Sequence, residues 1–363
     1  MIKVIQVITD TNIGGAGIWL LNFLKTYDRS VIDMSVVIPR GAMLKERVEK
    51  LEVRVIEADN IADSSFSVGG IKTLDEIFKE EEPDIVHTHA SLSARIAAKR
   101  NGIKVVNTRH CLEENKRGIK KAVYGLVNNS LSDRVIGVSE AVCRNLEADG
   151  IKQDKLRLVY NGIFPLKEID SAKKNALRER LGILPQNVVV GMVARLEPVK
   201  NHEMFLEAAK VVDTICPEAV FVIVGAGSME ETLIRKAKYD GMEDKVIFTG
   251  YIEDVNDIMN MIDIHVLTSE KEALSISLLE AMSLAKPVVS TDSGGPGEFI
   301  ENGKNGILVG TGDTVNLTMG IVRLIQRADI RSGLGTAAKQ TVSEKFSAEN
   351  MARNIEKIYA ELV

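Results

Sequence analysis

Residues 268–299 read TSEKEALSISLLEAMSLAKPVVSTDSGGPGEF and directly follow an apolar run, IDIHVL. An apolar run, a short helix-like segment, a second apolar run and a glycine-rich turn are typical of a βαβ unit with parallel strands. Two acidic residues in this stretch, Glu272 and Glu280, have seven residues between them. The stretch therefore predicts an α/β fold and raises the question whether these glutamates belong to an ordinary helix start or to a ligand site.

The same alternation of apolar runs and amphipathic segments fills the rest of the chain. It predicts two doubly wound parallel-sheet domains, 1–165 and 166–346, followed by an amphipathic helix at 347–363 with Ser347 as its cap. The segment from Phe164 to Asn187 breaks the rhythm and is interpreted as the crossing between domains. The predicted strands are IKVIQVIT, MSVVIP, EVRVIE, PDIVHTH, GIKVVNT and DRVIGVS in the first half, and VVVGMVA, AVFVIVG, KVIFTG, IDIHVLTS, KPVVST and GILVG in the second.

Composition favours a globular protein without a disulfide or zinc framework. Of the 363 residues, 45% are hydrophobic and 27% charged, and the three cysteines are far apart. The start, MIKVIQVITD, lacks the pattern of a signal peptide, and no apolar run approaches the ~20 residues of a membrane span. A reducing, cytoplasmic location is therefore expected.

Charge is distributed unevenly along the chain. The net charge of −5 argues against nucleic-acid binding. Between Pro83 and Arg134, however, ten Lys/Arg face only four Asp/Glu. Part of this region, KRGIKKAVYGLV, places cations beside apolar residues and could rest on anionic lipid. An ordinary amphipathic helix with a solvated face is an equally good interpretation.

Residues that follow strands are the candidates for a site, because doubly wound sheets bind ligands at the carboxyl ends of their strands. Gly14, Gly15 and Gly17 form one strand-to-helix turn that could approach an anion. A GxGxxG motif fails there, since Leu20 occupies the last position, so a plain tight turn remains open. The same alternatives apply to VGAGSMEE at residues 224–231.

Two cations lie in the loop after the first strand of the second domain. Arg195 and Lys200 could clamp a diphosphate, the arginine as a fork and the lysine as a point charge. Taken alone, a solvated loop is the commoner outcome. No Asp-x-Asp pair that would hold a divalent ion on a nucleotide diphosphate occurs in the sequence.

Three histidines follow or end strands of the first domain. His87 and His89 alternate on DIVHTH and should share one face, where packing or hydrogen bonding is favoured over metal binding because no third ligand has a fitting spacing. His110 follows Arg109, which favours a neutral imidazole or an anionic neighbour.

The opening stretch has a structural interpretation of its own. Ser277-Leu278-Leu279-Glu280 matches a capping box, in which Glu280 reaches back to a free backbone N–H. Against a purely structural account, Glu272 follows a strand, where an unpaired carboxylate has no evident structural purpose. Both interpretations remain open from the residues alone.

Taken together, the loops resemble the retaining glycosyltransferases of family 4. The resemblance extends over nearly the whole chain and is most specific at Glu-x7-Glu followed by EAM, KPVV and GG. The other matching segments are GGAG, DIVHTHA, VNTRH, GVSEAVCRNL, VYNGI, VARLEPVKN, VGAGSMEE and FTGYIEDV. The resemblance implies the GT-B fold, in which two Rossmann-like domains face each other across a cleft and the last helix crosses back onto the first domain.

The resemblance also implies roles for individual residues. Glu272 would lie against the donor sugar and Glu280 would accept hydrogen bonds from the nucleotide ribose. Arg195 and Lys200 would hold the diphosphate, and the backbone of Gly15 would approach the same phosphates. His110 would contact the transferred sugar. The loop residues Leu274 and Ser275 would contact the donor.

The sequence departs from the family where Ala273, Leu274 and Ser275 replace the common glycine–aromatic pattern and where Ala285 replaces a glycine. In the family, backbone amides of the loop that contains the first three of these positions usually contact the donor.

The activity implied is sugar transfer with retention of anomeric configuration, without a metal or other cofactor. Electrostatic stabilisation would come from Arg195 and Lys200, with Glu272 and His110 positioning the sugar. A UDP-sugar is the favoured donor, and a glycan or lipid-linked acceptor of the cell envelope is the hypothesis for the acceptor.

Three rivals from other classes share parts of this pattern. A nucleotide-sugar 2-epimerase has the same two-domain architecture, a nicotinamide oxidoreductase would use the glycine turns, and a binding subunit without activity would keep the fold. The Glu-x7-Glu spacing argues against the epimerase, and the failed glycine motifs argue against the oxidoreductase. The retained charged residues argue against a binding subunit without activity.

Overall fold

The computed structural model describes residues 1–363, which form two compact units. Unit 1 comprises Met1–Phe164 together with Phe346–Val363, and unit 2 comprises Pro165–Lys345. The charged helix of the predicted crossing segment belongs to unit 2, where Arg178 pairs with Asp263 at 2.5 Å.

The strands are β1 Ile2–Val7, β2 Ile32–Pro39, β3 Arg54–Ala58, β4 Ile85–Thr88, β5 Lys104–Arg109, β6 Arg134–Gly137, β7 Leu156–Leu158, β8 Val188–Val193, β9 Ala219–Val224, β10 Val246–Phe248, β11 Ile264–Leu267, β12 Val288–Thr291 and β13 Ile307–Val309. The helices are α1 Gly15–Leu24, α2 Lys45–Glu49, α3 Val68–Glu81, α4 Leu92–Arg100, α5 Gly118–Leu131, α6 Glu140–Ala148, α7 Ser171–Arg180, α8 His202–Ile215, α9 Glu230–Tyr239, α10 Asn256–Met261, α11 Ile276–Ser283, α12 Thr314–Gln326, α13 Ala328–Lys345 and α14 Ala348–Ala360.

Both units contain one wholly parallel sheet with the same arrangement. Unit 1 has the order β3-β2-β1-β4-β5-β6-β7 and unit 2 the order β10-β9-β8-β11-β12-β13. In each sheet the order reverses beside the unit's first strand, at β1/β4 and at β8/β11. Ligands of such sheets bind at this switch point. The predicted Rossmann-like α/β fold is confirmed, with β7 as one strand that the sequence did not predict.

Buried strands form because helices cover both faces of the sheet, so that near-continuous apolar runs are stable there. In unit 1, α1 and α14 pack on one face around Trp19, Phe23 and Tyr359, and α3 and α4 pack on the other around Leu74 and Phe78. The cores of both faces consist of fully buried aliphatic and aromatic side chains.

The last helix returns to unit 1 through a close backbone contact. Gly162 lies so near Ser347 that an added Cβ would be 2.3 Å from the Ser347 carbonyl oxygen. Ser347 caps α14 by accepting a hydrogen bond from the Asn350 N–H at 3.1 Å, as the sequence predicted. The apolar residues Met351, Ile355, Ile358 and Tyr359 are all buried in unit 1.

None of the helices combines the length and the apolar character needed to cross a bilayer.

Candidate active site

The switch point of unit 2 brings together two of the predicted residues. Lys200 ends the short 3-10 turn Pro198–Lys200 after β8, and Glu272 lies in the loop after β11. Lys200 Nζ is 2.5 Å from Glu272 Oε2, and the Ser269 hydroxyl donates to the same oxygen at 3.0 Å. The side chains are only 18% and 11% exposed, so the pair is largely shielded from water.

This pair corrects the interpretation of Glu272 as an unpaired carboxylate. Its charge is balanced by Lys200, and its backbone is also fixed, since the Glu272 N–H donates to Ser293 O and the Gly295 N–H donates to Glu272 O. The loops after β11 and β12 are thereby joined. A buried ammonium held by a carboxylate in this way is a rigidly placed positive charge.

Arg195 lies in the same loop as Lys200 but differs in its surroundings. Its side chain is exposed and has no hydrogen bond or ion pair. The neighbouring Glu197 forms no ion pair with it. The Glu197 carboxylate accepts from the Ser228 N–H and hydroxyl, and these bonds, with a smaller contribution from the charge of Arg195, lower the pKa of Glu197. The guanidinium is therefore free to bind an anion.

The glycines of the neighbouring turn are required by the protein itself. A Cβ on Gly225 would lie 2.1 Å from Ala194 O, and one on Gly227 would lie 2.5 Å from Leu196 O. Gly225 also has a φ of +142°, which side chains rarely adopt. The tight-turn interpretation thus explains both residues, and the turn holds the Arg195 loop against β9.

Gly15 presents the opposite case in unit 1. It is the first residue of α1, and a Cβ on either Gly14 or Gly15 would meet no atom within 4 Å. Neither packing nor backbone conformation demands a glycine there. The open space in front of this helix N-terminus is what an approaching anion needs.

The helix of the opening stretch starts two residues earlier than a capping box requires. Ser275 is the N-cap of α11 and accepts from the Leu278 N–H at 3.4 Å, while Ser277 only contacts the Ser275 hydroxyl at 3.2 Å. The capping-box prediction for Ser277 and Glu280 is wrong, because the loop between β11 and α11 is shorter than the sequence pattern indicated.

Glu280 is consequently left with no role in the helix start. Its side chain is partly buried, and its carboxyl forms no hydrogen bond or ion pair; only its backbone carbonyl accepts from the Ser283 hydroxyl. Burial, with a smaller contribution from the negative charge of Asp254, raises the pKa of Glu280 to about 8. A partly buried carboxyl without a partner is costly to ionise, and a hydroxyl donor from a ligand would stabilise its ionised form.

Leu274 and Ser275, which precede this helix, are buried at 4% and 6% exposure. Their loop is held by Gly295, where a Cβ would lie 1.8 Å from Ala273 O. The backbone of this loop, rather than its side chains, is therefore what a ligand could contact.

His110 lies in unit 1, directly after β5. Its Nε2 is 2.8 Å from His89 Nδ1, and the two rings stack with centroids 5.1 Å apart. Burial, followed by the neighbouring His89 and Arg109, lowers the pKa of His110 well below its usual value. This direction agrees with the neutral imidazole, one of the two alternatives that the sequence favoured for His110. The shared face and the hydrogen bonding predicted for His87 and His89 are confirmed.

Several functional groups were not identified from the sequence. Ser269 orients Glu272, and Gln6 and Tyr359 bind the histidines. Gln6 carried one usable signal, a single amide within the apolar run VIQVI of β1. No group of three or more His, Cys, Asp or Glu side chains is arranged to hold a metal ion.

Comparison with family models gives a match in each half of the chain. Residues 13–165 match the model described as Glycosyltransferase Family 4, and residues 173–341 match the model described as Glycosyl transferases group 1. Between them these segments include every predicted site residue.

Two curated relatives and one solved structure illustrate the similarity. The chain is 29% identical over 303 residues to the UDP-Gal:alpha-D-GlcNAc-diphosphoundecaprenol alpha-1,3-galactosyltransferase of Escherichia coli, covering 79% of this chain and 76% of that protein. It is 28% identical over 298 residues to the N-acetyl-alpha-D-glucosaminyl L-malate synthase of Bacillus anthracis, covering 79% and 77%. The fold is shared with Anabaena Alr3699/HepE in complex with UDP and glucose, at a TM-score of 0.88, 23% identity and coverage of 99% and 100%.

Proposed function

The chain belongs to the group 1 glycosyltransferases of family 4, and we propose that it transfers a sugar from a nucleotide diphosphate sugar to a glycan or lipid-linked acceptor with retention of anomeric configuration. The observation that carries this proposal is the shielded Lys200–Glu272 pair at the β8/β11 switch point. It places an ammonium group, held in position by a carboxylate, where a doubly wound sheet binds its ligand.

In the proposed reaction, the bond between the anomeric carbon and the diphosphate oxygen breaks first, and its electron pair stays on the diphosphate. Lys200 and Arg195 stabilise the charge that develops there, an effect that a preorganised site makes large. The acceptor oxygen then bonds to the anomeric carbon from the same face, and its proton passes to the leaving diphosphate. No covalent bond to the protein is formed.

The remaining residues position the donor in this proposal. Glu280 accepts hydrogen bonds from the ribose hydroxyls, which its unpartnered carboxyl can do once ionised. Backbone of Gly15 and of the Leu274–Ser275 loop approaches the donor. Glu272 and His110 position the transferred sugar through hydrogen bonds to its hydroxyls.

A UDP-sugar is the proposed donor. The Escherichia coli relative is named for UDP-Gal, and the Anabaena structure contains UDP and glucose. The acceptor is proposed to be a glycan or lipid-linked intermediate of the cell envelope, because the same relative is named for a diphosphoundecaprenol-linked acceptor.

A membrane surface is the proposed location of the acceptor, and α5 is the part of unit 1 that fits it. The outward face of this helix is apolar, with Ile119 84%, Val123 53% and Leu126 72% exposed at helical spacing. The exposed cations Arg117, Lys120 and Lys121 flank this face at its N-terminal end. Exposed apolar residues bordered by cations match an anionic lipid surface better than water.

Only part of the basic charge between Pro83 and Arg134 is available to contact a lipid surface. Half of the cations counted in the region from Pro83 to Arg134 are neutralised or buried within unit 1, and the exposed cations on α5 have no acidic partner. The engaged residues are Arg95 with Asn128, Lys99 with Asp133, Arg109 with Glu113, Lys116 with Asp149 and Arg134 with Glu361.

Vesicle sedimentation tests this membrane contact. We expect the protein to bind phosphatidylglycerol vesicles more strongly than phosphatidylcholine vesicles, and an Ile119→Ser/Leu126→Ser variant to lose most of that binding. Val315→Ser/Met319→Ser is the matched control, because it removes apolar side chains that are 70% and 63% exposed on α12. Equal binding to both vesicle types, or equal loss in the control, would contradict the contact.

A donor panel tests the reaction itself. UDP-, GDP- and ADP-sugars are incubated with the enzyme, and nucleotide release and thermal shift are measured with and without a chelator. The proposal predicts release from a UDP-sugar that survives the chelator, since we assign diphosphate neutralisation to Arg195 and Lys200 and expect no metal or other cofactor. Loss of activity in the chelator would overturn the metal-free part.

The epimerase alternative gives a different product in the same experiment. An epimerase converts the donor into a second nucleotide sugar without consuming it, whereas a transferase liberates the nucleotide. The relatives named above are a galactosyltransferase and a glucosaminyl malate synthase, so they lend that alternative no support.

A further inference from the structure

A continuous hydrogen-bonded chain lies behind His110 in unit 1. His110 Nε2 contacts His89 Nδ1 at 2.8 Å, and His89 Nε2 contacts Gln6 Oε1 at 3.1 Å. Gln6 Nε2 donates to the Tyr359 hydroxyl at 2.9 Å, which lies 2.6 Å from His87 Nδ1. His87 Nε2 closes the chain at Thr108 Oγ1, 2.7 Å away. Three strands of the sheet and the last helix therefore meet in one network.

Most of the network is buried, and only His110 is partly exposed. Gln6, His87, Thr108 and Tyr359 are completely buried, and His89 is 6% exposed. The indole of Trp19 packs edge-on against the rings of all three histidines, at centroid distances of 5.0 to 5.6 Å. Buried polar groups without water must satisfy one another, so each proton position constrains the next.

The direction of each hydrogen bond follows from Gln6. With the Gln6 amide oriented so that its Nε2 donates to the Tyr359 hydroxyl, its carbonyl oxygen faces His89 and accepts, which places the His89 proton on Nε2. A neutral His89 then has a bare Nδ1, which can only accept from His110. His110 therefore carries its proton on Nε2, and its remaining nitrogen, Nδ1, is a bare acceptor.

We propose that Gln6, anchored by Tyr359 of the last helix, acts through His89 to hold His110 in the tautomer whose Nδ1 accepts a hydrogen bond from a sugar hydroxyl. Gln6 and His89 are positioning residues in this assignment, and only His110 contacts the substrate. The substrate part rests on the function proposed above. The tautomer itself does not, because it is inferred from hydrogen bonds within unit 1 alone.

Two further observations agree with neutral rings throughout the chain. Burial lowers the pKa of His89 to about 3 and that of His87 well below its usual value. The groups that face His110 include the cation Arg109, which pairs with Glu113, so protonation of His110 gains no direct anionic partner. A neutral imidazole has one donor and one acceptor, as this directional chain requires.

Nitrogen NMR on the full chain labelled with ¹⁵N-histidine tests the tautomer without any substrate. Only five histidines are present, and His110→Asn identifies the signals of His110. We expect a proton bonded to His110 Nε2, an unprotonated His110 Nδ1, and a scalar coupling between His110 Nε2 and His89 Nδ1. A proton on His110 Nδ1 or on His89 Nδ1 would overturn the proposal.

A matched pair of variants tests the role of Gln6. Gln6→Glu keeps an oxygen that accepts from His89 Nε2–H, and we expect it to retain the wild-type tautomer. Gln6→Met has similar size but no acceptor, and it leaves a buried N–H unpaired. We expect its histidine pair to reverse, with the proton on His89 Nδ1. An unchanged spectrum in Gln6→Met would contradict the assignment, and the wild-type spectrum decides the tautomer even if this variant does not fold.

Sugar transfer by the same variants separates this inference from the function. We expect kcat to fall at least tenfold in Gln6→Met and to be largely restored in Gln6→Glu, with nucleotide affinity unchanged in both. If the tautomers are those expected but neither the wild type nor any variant transfers sugar, the proposed function fails and the tautomer assignment stands. If sugar transfer occurs with the opposite tautomer, only the tautomer assignment fails.

Discussion

The switch points of the two sheets occupy the same place in the same topology but contain opposite chemistry. At β8/β11 of unit 2, a lysine and a glutamate form a shielded ion pair, with the exposed Arg195 in the same loop. At β1/β4 of unit 1, three histidines, a glutamine and a tyrosine form a neutral network. Fixed charge suits a diphosphate, whereas neutral donors and acceptors suit sugar hydroxyls. The fold therefore provides the position of each site, and the loops decide which ligand it can bind.

Removing the fixed charge should have the largest effect. We expect Lys200→Met to lower kcat by roughly 10²–10³-fold, the usual consequence of losing one group that stabilises developing negative charge. It also leaves the Glu272 carboxylate shielded without its cation. The measurement is transfer from the donor identified by the panel.

Lys210→Met provides the control for this change. Lys210 forms a surface ion pair with Asp240 on unit 2, and its side chain is 54% exposed. Activity should be unaffected. If Lys200→Met and Lys210→Met have similar activity, the Lys200–Glu272 pair does not act on the leaving group.

Alanine substitution should affect stability differently at Gly295 of unit 2 and at Gly15 of unit 1. Gly295→Ala places a Cβ 1.8 Å from Ala273 O, so the joined loops must move, at a cost of ~1–3 kcal/mol or more in the free energy of unfolding. Gly15→Ala meets nothing within 4 Å and should change stability by less than about 0.5 kcal/mol.

Denaturant unfolding and donor binding together check this pair. If the open space before α1 admits the phosphates, Gly15→Ala weakens donor binding although the fold is unharmed. Wild-type donor affinity in Gly15→Ala would remove Gly15 from the site.

Glu280 should link nucleotide binding to pH. Because its pKa is raised from 4.5 to about 8, the folded protein holds this proton more tightly than the unfolded chain. The resulting contribution to stability is complete below about pH 4.5 and is lost as the pH rises towards 8. Glu280→Gln should flatten that dependence.

Ribose hydroxyls that donate to the ionised carboxylate would release this proton. Calorimetry of UDP binding at pH 7 in two buffers of different ionisation enthalpy should therefore show proton release in the wild type and much less in Glu280→Gln. Equal proton release in both proteins would exclude Glu280 from the binding site.

The helix start of α11 gives the smallest effect. Ser275→Ala removes the N-cap and should cost roughly 0.5–1 kcal/mol in the free energy of unfolding. Ser277→Ala should cost little, because its hydroxyl caps nothing. The reverse order in thermal or denaturant unfolding would restore the capping-box interpretation.

Much of the fold was predictable because its signals are local. Buried parallel strands are apolar on both faces, so their runs stand out, and the residues after them fall at one edge of the sheet. For this reason the sequence alone predicts Lys200 and Glu272 as residues of one site, although they are 72 positions apart. The half-exposed edge strand β7 has only three residues and lacks such a run.

The parts that were not predicted depend on contacts distant in the sequence. Gln6 and Tyr359 are 353 positions apart, and neither strand nor helix pattern indicates that they share a hydrogen bond. The apolar outward face of α5 was likewise ambiguous, because periodicity shows that a helix has an apolar stripe but not whether anything covers it.

Titration of UDP into three proteins tests the proposal that Lys200 contributes to nucleotide binding whereas His110 acts on the transferred sugar. We expect Lys200→Met to weaken UDP binding about 10–100-fold, the worth of one charge-assisted hydrogen bond. His110→Asn should bind UDP like the wild type yet transfer sugar poorly. Wild-type UDP affinity in Lys200→Met, or an equal loss of affinity in His110→Asn, would contradict the account.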